Sequence, residues 1–335
     1  MDGSPASKIG PGHTLEGRFL IVEPIARGGM STLFKAVDLQ NSNQAVAVKV
    51  PLPQYSSGLG SWSMFQREAQ IGLELDHPYI LRFIPLEPNK QRTYVVTEYI
   101  AGTTLAARVG KGQRLPEPEA LRIMSRLCEA VDYMHGQHVV HYDLKPGNVM
   151  LCADGSIRLI DFGLAHVLVR SRFTFAAAAP AIGTSDYVAP EQIGRQRGRV
   201  SVDVYALGSM LYEMLTGHPP FEGDDPFVVA SARQIGDPKG PRELNPSVSK
   251  EVEEVVLRAL RRNPTERYTS VAAMKADLDH PGHVQVSGLA DRLIAVTRWR
   301  KSLRVVRYIL LVGVAPIAFL IAMFGFLWLS LAHKP

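Results

Sequence analysis

Between His141 and Gly163 the chain sets four polar residues in two short stretches: Asp143, Lys145 and Asn148 in HYDLKPGN, and Asp161 in DFG. Asp143 offers a proton acceptor, and Lys145 puts a cation two residues further on. Asn148 and Asp161 offer two oxygen ligands of the kind that a hard cation such as Mg2+ favours. Such a set suits phosphoryl transfer, in which phosphates are held, charge is neutralised by metal ions and an acceptor hydroxyl is aimed in line. In that chemistry Asp143 accepts the hydroxyl proton and Lys145 holds the transferring phosphate. Apolar VMLC and IRLI lie between the stretches and read as a β-hairpin holding both acids on rigid strands. Each motif alone says little; their order and spacing carry the reading.

The segments that must position these residues differ in texture along the chain. RFLIVEPIA (Arg18 to Ala26) is apolar and β-branched, and AVAVKV (Ala45 to Val50) alternates, so both read as strands. MFQREAQIGLEL (Met64 to Leu75) has helical spacing and stops before His77 and Pro78. YILRFIPLEP (Tyr79 to Pro88) and RTYVVTEYI (Arg92 to Ile100) return to strand character. From about Leu115 the texture is helical, as in Pro116 to His135 and in Ser201 to Gly217, the latter with a serine start and a glycine stop. The plan is a strand-rich lobe, a hinge near Glu98 to Gly102 and a helix-rich lobe. There is no internal repeat.

On these motifs the chain resembles the eukaryotic-like (Hanks-type) Ser/Thr protein kinases of the bacterial, membrane-anchored kind, over about residues 18–278. The resemblance implies an α+β, bilobal fold with a β-rich N-lobe and a helical C-lobe, together with one C-terminal transmembrane helix. It implies ATP and Mg2+ (or Mn2+) as cofactors. Lys49 in VAVKV matches the lysine that grips the α- and β-phosphates, and Glu68 in FQREA the helix acid that pairs with it. Either alone would read as a solvated surface charge. Thr97 falls at the gatekeeper position, and Glu98 to Ile100 form the hinge whose backbone bonds adenine. Thr184 in GTSDYVAPE matches a threonine that contacts the catalytic Asp and Lys. Glu191 is expected to pair with Arg267, and Asp203 to hydrogen-bond the catalytic-loop backbone. Lys145 points to Ser/Thr rather than tyrosine acceptors.

Two positions depart from the family pattern. The phosphate loop, Ala26, Arg27, Gly28, Gly29, Met30 and Ser31, has Ala26 and Ser31 where the first and third glycines stand. Glycine lets backbone amides approach phosphate without a Cβ, so two replacements are expected to stiffen the loop and weaken ATP binding without abolishing it. Tyr142 replaces the arginine before the catalytic Asp, which in the family receives the activation-loop phosphate; tyrosine forms no charge-assisted pair. Phosphorylation at Ser171 or Thr174 is therefore expected to matter less as a switch. The nearby FTFAAAAPA is unusually apolar for an activation loop.

The bulk numbers limit the remaining readings. With 335 residues, 46% of them hydrophobic, the chain can bury a large core. Two cysteines, Cys128 and Cys152, provide neither a disulfide framework nor a metal cluster. Much of the +5 net charge sits in Arg292, Arg298, Arg300, Lys301, Arg304 and Arg307, just before an apolar run, so membrane lipid explains it better than nucleic acid. From Tyr308 to Ala332 there is no charged residue. At about 1.5 Å per residue the run spans about 37 Å, enough to cross a hydrocarbon core of about 30 Å. The alternative is a buried core helix. Tyr308 and Trp328 lie near its ends, and the basic side faces the cytoplasm.

The expected divisions are a flexible leader (1–17) without a signal peptide, a protein kinase domain (18–280; N-lobe 18–98, C-lobe 103–280), a basic juxtamembrane linker (281–307) and a transmembrane helix (308–332) acting as a tail anchor. The expected function is ATP-dependent phosphorylation of Ser/Thr hydroxyls on protein substrates, and on the chain itself, at the cytosolic face of a membrane. A homodimer is a further expectation, because tethering to a plane raises local concentration. The alternative is a membrane-tethered pseudokinase or scaffold; a soluble domain of another fold beside a membrane segment is a third class.

Overall fold

Alternating valines and β-branched residues near the N-terminus form a five-stranded antiparallel sheet in the order β1-β2-β3-β4-β5. These strands are β1 Thr14–Leu15, β2 Phe19–Arg27, β3 Ser31–Asp38, β4 Gln44–Pro51 and β5 Val95–Glu98. One face closes over Phe19, Ile21, Phe34, Val46, Val48 and Val96. β2 is buried at Phe19 and Ile21 and exposed beyond, with register shifts at Ile21/Glu23 and Pro24/Ala26. Proline has no N–H for a ladder, and it sits where the pairing is already irregular. The computed structural model describes residues 9–29, 31–52, 59–87, 93–162, 166–167, 186–193 and 200–294. All of these except Ile294 belong to one compact unit, Met1–Leu293.

Helix α1 runs Leu59–Glu74, starting five residues before the expected Met64. Gly60, Ser61 and Ser63 are weak helix formers and hid that first part. The segment from Tyr79, expected as a strand, makes only isolated bridges at Ile80 (to Leu159) and Phe83 (to Thr97) among its described residues. Its amides are shared between two partners: Leu81 N–H donates to Leu159, whereas Ile84 N–H donates to Val96. A chain crossing between two sheets builds no single ladder with either.

The second lobe is helical: α2 Glu117–Gly136, α3 Pro190–Ile193, α4 Ser201–Thr216, α5 Pro226–Ile235, α6 Pro241–Leu244, α7 Lys250–Ala259 and α8 Val271–Asp279. From Val202 to Thr216 every residue of α4 is buried, as expected of a central helix packed on all sides. It ends at Gly217 in the left-handed region (φ 79°), where a Cβ would come within 2.6 Å of the Gly112 backbone. Only glycine suits both demands.

Strands β6 Gly102–Thr104, β8 Val149–Cys152 and β9 Ile157–Leu159 form a small sheet at the junction of the lobes, and β7 Val139–Val140 pairs with β10 His166–Val167. The expected hairpin between HYDLKPGN and DFG is β8 and β9, turned at Asp154 and Gly155. Past residue 280, the chain still packs on the helical lobe: Ser287 donates its hydroxyl to Glu254 on α7, and Leu289 N–H reaches Glu254 Oε2 at 3.2 Å. No described helix is long and apolar enough to cross a membrane. The run 308–332, the leader before residue 9 and residues 295–307 of the basic linker lie outside the described residues.

Candidate active site

The hairpin ends bring the two acid-bearing motifs together. Ile160 N–H donates to the Asn148 carbonyl at 2.8 Å, so Asn148 enters β8 beside the exit of β9 that leads to Asp161. Lys145 Nζ lies 2.7 Å from Asp143 Oδ2, and Asn148 Nδ2 donates to the Asp143 carbonyl at 2.8 Å. Asp143 remains partly exposed, at 21% of its side chain. It is held from one side by Lys145 and Asn148 and open on another.

Lys49 sits in the middle of the N-lobe sheet, opposite Leu33 and Val95. Its Nζ lies 2.6 and 2.8 Å from the two carboxylate oxygens of Glu68 on α1. Asp161 Oδ1 is 3.6 Å from the same nitrogen. Burial works against the Lys49 charge, but Asp161 and Glu68 more than offset it and hold the ammonium above the ordinary lysine range. Burial holds the Glu68 carboxyl above the ordinary carboxylate range, against the pull of Lys49.

The loop before Asp143 is fixed from below. Asp203, 1% exposed, accepts the N–H groups of His141 and Tyr142 at 2.9 and 3.0 Å. His135, at the end of α2, lies 2.8 Å from Asp203 Oδ2. Tyr142 and Asp161 both have left-handed backbones (φ 64° and 68°). Each such residue costs on the order of 1–3 kcal/mol and persists where surrounding bonds over-determine it. For Tyr142 the bond to Asp203 is one of them.

Where the phosphate loop is described, Ala26 pairs with Leu33 and Ser31 with Pro51 in the sheet, and Gly28 N–H donates to the Ser31 carbonyl at 2.8 Å. A Cβ at Gly29 would meet nothing within 4 Å. At the hinge the Glu98 carboxylate accepts the Arg82 N–H and lies 3.6 Å from Arg158. Its side chain thus serves the fold, and any bond to a base falls to its backbone carbonyl, which also accepts the Thr97 hydroxyl at 3.2 Å. Among the described residues no group of three or more His, Cys, Asp or Glu could hold a metal alone. Asp161 and Asn148 supply oxygen only, which fits a cation that completes its shell with phosphates and water.

A family model described as protein kinase domain matches residues 19–279. The chain belongs to the protein kinase family. It is similar to the serine/threonine-protein kinase PknB of Mycolicibacterium smegmatis, 36% identical over 272 residues, which are 80% of this chain and 43% of that protein. PknB of Mycobacterium tuberculosis is 35% identical over 272 residues, with the same shares. PrkC of Bacillus subtilis is 33% identical over 267 residues, 80% of this chain and 41% of that protein. The chain therefore spans less than half the length of these relatives.

Within this kinase fold, Glu191 and Arg267 pair as expected, bidentately at 2.7 and 2.8 Å, with the guanidinium also donating to the carbonyls of Ser201, Arg261 and Arg262. The expected Met30, Gly163, Ser171, Thr174 and Thr184 lie outside the described residues. The sequence reading missed three supports. One is His135 on Asp203. Another is the ring series Phe83, Phe162 and His141, with centroids 6.0 and 5.8 Å apart. The third is buried Arg233 on α5, which donates to the Val188 carbonyl at 3.3 Å and faces Asp186 at 3.4 Å. A histidine 68 residues before its partner carries no local signal.

Proposed function

We propose that this chain is a Ser/Thr protein kinase that moves the γ-phosphate of ATP onto protein hydroxyls. The single observation that carries the reading is the Asp143, Lys145 and Asn148 cluster, with its 2.7 and 2.8 Å bonds, set beside a formed Lys49–Glu68 pair. Asp143 takes the proton as the acceptor oxygen bonds to the γ-phosphorus. The bond from that phosphorus to the bridging oxygen breaks, and ADP leaves. Lys145 neutralises charge on the transferring group, and Lys49, held by Glu68, grips the remaining phosphates. Ala26 to Ser31 cover the phosphates with backbone amides, and the backbone of Glu98 and Ile100 receives adenine. Asn148 and Asp161 would hold Mg2+ or Mn2+, which supplies charge neutralisation between the phosphates when bound. The presence of Lys49, Glu68, Asp143, Asn148 and Asp161 together argues against a pseudokinase.

The uncharged run 308–332 and the basic residues before it support a transmembrane helix with the kinase domain on the cytoplasmic side. The divisions 281–307 and 308–332 are proposed on the same grounds, and 1–17 and 18–280 on the span of the motifs, with Thr14 and Leu15 of the leader joining the sheet as β1. Full-length protein in bilayer vesicles, given labelled ATP, Mg2+ and a basic protein, should transfer label to serine and threonine of that protein and of itself. Absence of transfer, with nucleotide still bound, would favour a scaffold. Extraction by alkaline carbonate, which spares spanning helices, would count against the membrane assignment.

A further inference from the structure

The family match stops at residue 279, yet the chain stays with the compact unit to Leu293. Two short turns shape this strap. Val284 N–H donates to the Pro281 carbonyl at 3.0 Å, and Arg292 N–H to the Leu289 carbonyl at 3.1 Å. The Arg292 guanidinium reaches back to the carbonyls of Ser287 at 2.8 Å and Gly288 at 3.2 Å. Val284 packs, partly buried, against the core of the helical lobe. The anchor is Glu254 on α7, 7% exposed. Among the described residues, both of its carboxylate oxygens accept from the strap: Oε1 from the Ser287 hydroxyl, and Oε2 from the Leu289 N–H at 3.2 Å. A buried carboxylate stripped of its donors is costly, so this face of α7 is complete only with the strap on it. Ser287 itself is exposed, with an Arg292 nitrogen 3.2 Å from its hydroxyl oxygen.

We propose that the α7 surface around Glu254 is a docking site for this chain's own residues 281–293, and that this latch limits how far the kinase domain can stand from a bilayer. The reach rests on the membrane reading of 308–332, and the docking on packing and hydrogen bonds alone. With the strap latched, the 14 residues 294–307 separate the folded domain from the apolar run; with it released, the 27 residues 281–307 do. At no more than about 3.6 Å per residue, whatever their conformation, these span at most about 50 Å and about 97 Å. Release thus nearly doubles the limit of reach. It widens by the same measure the zone above the membrane in which acceptor hydroxyls can be met.

Full-length protein in bilayer vesicles tests it, as wild type, S287D, E254Q and E254Q/S287D. S287D removes the hydroxyl donor and sets a second carboxylate against Glu254. In E254Q/S287D a bond of reversed direction returns, the glutamine amide donating to the new carboxylate while its oxygen still accepts the Leu289 N–H. Arg292 faces that carboxylate in both variants, so the difference between them isolates position 254. Two readouts need no catalysis: amide hydrogen exchange over 281–293, and energy transfer from a dye at the N-terminus to acceptor lipids. S287D should raise exchange over 281–293 about tenfold or more and lower the energy transfer. E254Q and E254Q/S287D should both keep exchange within about threefold of wild type. The kcat/KM for a soluble basic protein should stay within about twofold in every variant. Wild-type exchange in S287D overturns the docking, and so does a double variant as unprotected as S287D. Exchange that rises throughout the helical lobe overturns it too, since the strap is then no separable latch. A released strap with unchanged energy transfer overturns the reach. If wild type shows no energy transfer to the bilayer, the membrane reading falls and exchange alone judges the docking site.

Discussion

The Asn148 side-chain amide donates to the backbone carbonyl of Asp143 at 2.8 Å and lies 3.3 Å from its Oδ2. Asn148 thereby orients the carboxylate that the proposed chemistry needs, using the Nδ2 end of its amide and leaving the oxygen end for a cation. D143N should remove the proton acceptor and one negative charge while leaving nucleotide binding nearly intact. A rate loss of about 10²–10⁴ is expected, the usual cost of losing a general base. Steady-state phosphate transfer beside nucleotide titration checks it; wild-type turnover would refute the assignment of Asp143.

The Glu191–Arg267 pair is almost fully withdrawn from solvent, at 7% and 0% side-chain exposure. R267M would leave the Glu191 carboxylate buried without its partner. Breaking such a pair from one side costs about 3–5 kcal/mol. Urea unfolding should show the loss as a lower midpoint at an unchanged slope, and an unaltered midpoint would contradict it.

His141 gives the fold an acid sensitivity. Burial pushes its pKa down, against the pull of Asp203, Asp143 and Asp161. The folded state then binds fewer protons than an unfolded chain whose histidine titrates near about 6.5. The stabilisation is present above that value and is lost as pH falls below it toward the depressed folded value. His77, lowered mainly by burial, acts in the same direction. H141F keeps a ring against Phe162 and removes the titration, so its melting temperature should fall less than that of wild type between pH 7.5 and pH 5. Parallel falls would assign the acid sensitivity elsewhere.

Tyr142 uses its backbone N–H on Asp203 and packs its ring against the helical core, and it offers no cation to an activation-loop phosphate. S171A/T174A, with Thr184 left intact, should lower activity less than about tenfold, roughly 1.4 kcal/mol. A fall of about a hundredfold, reversed in wild type by phosphorylation, would mean that another base such as Arg170, Arg172 or Arg195 takes the arginine's part.

Restoring glycine at Ala26 and Ser31 should lower the KM for ATP modestly, by about 1 kcal/mol or less. Both residues are paired within β2 and β3, so an unchanged KM would mean that the Gly28–Gly29 turn alone sets how near the amides come.

The sequence by itself determined the two-lobed plan and the β8–β9 hairpin, and it singled out the residues to which the proposed chemistry is assigned. Phosphoryl transfer restricts residue type sharply within a few positions, and the alternation of apolar residues announces strands without help from distant chain. Tertiary structure decided the rest. The stretch after Tyr79 had strand composition, but its amides were divided between β5 and β9. Glu98 read as a hinge residue, yet its carboxylate went to Arg82 and Arg158. His135 met Asp203, and Ser287 met Glu254, because packing brought remote positions within contact distance. Short-range pattern records which face of an element is apolar; it does not record which distant partner will fill a notch or satisfy a buried carboxylate, since that choice is made only when whole elements pack.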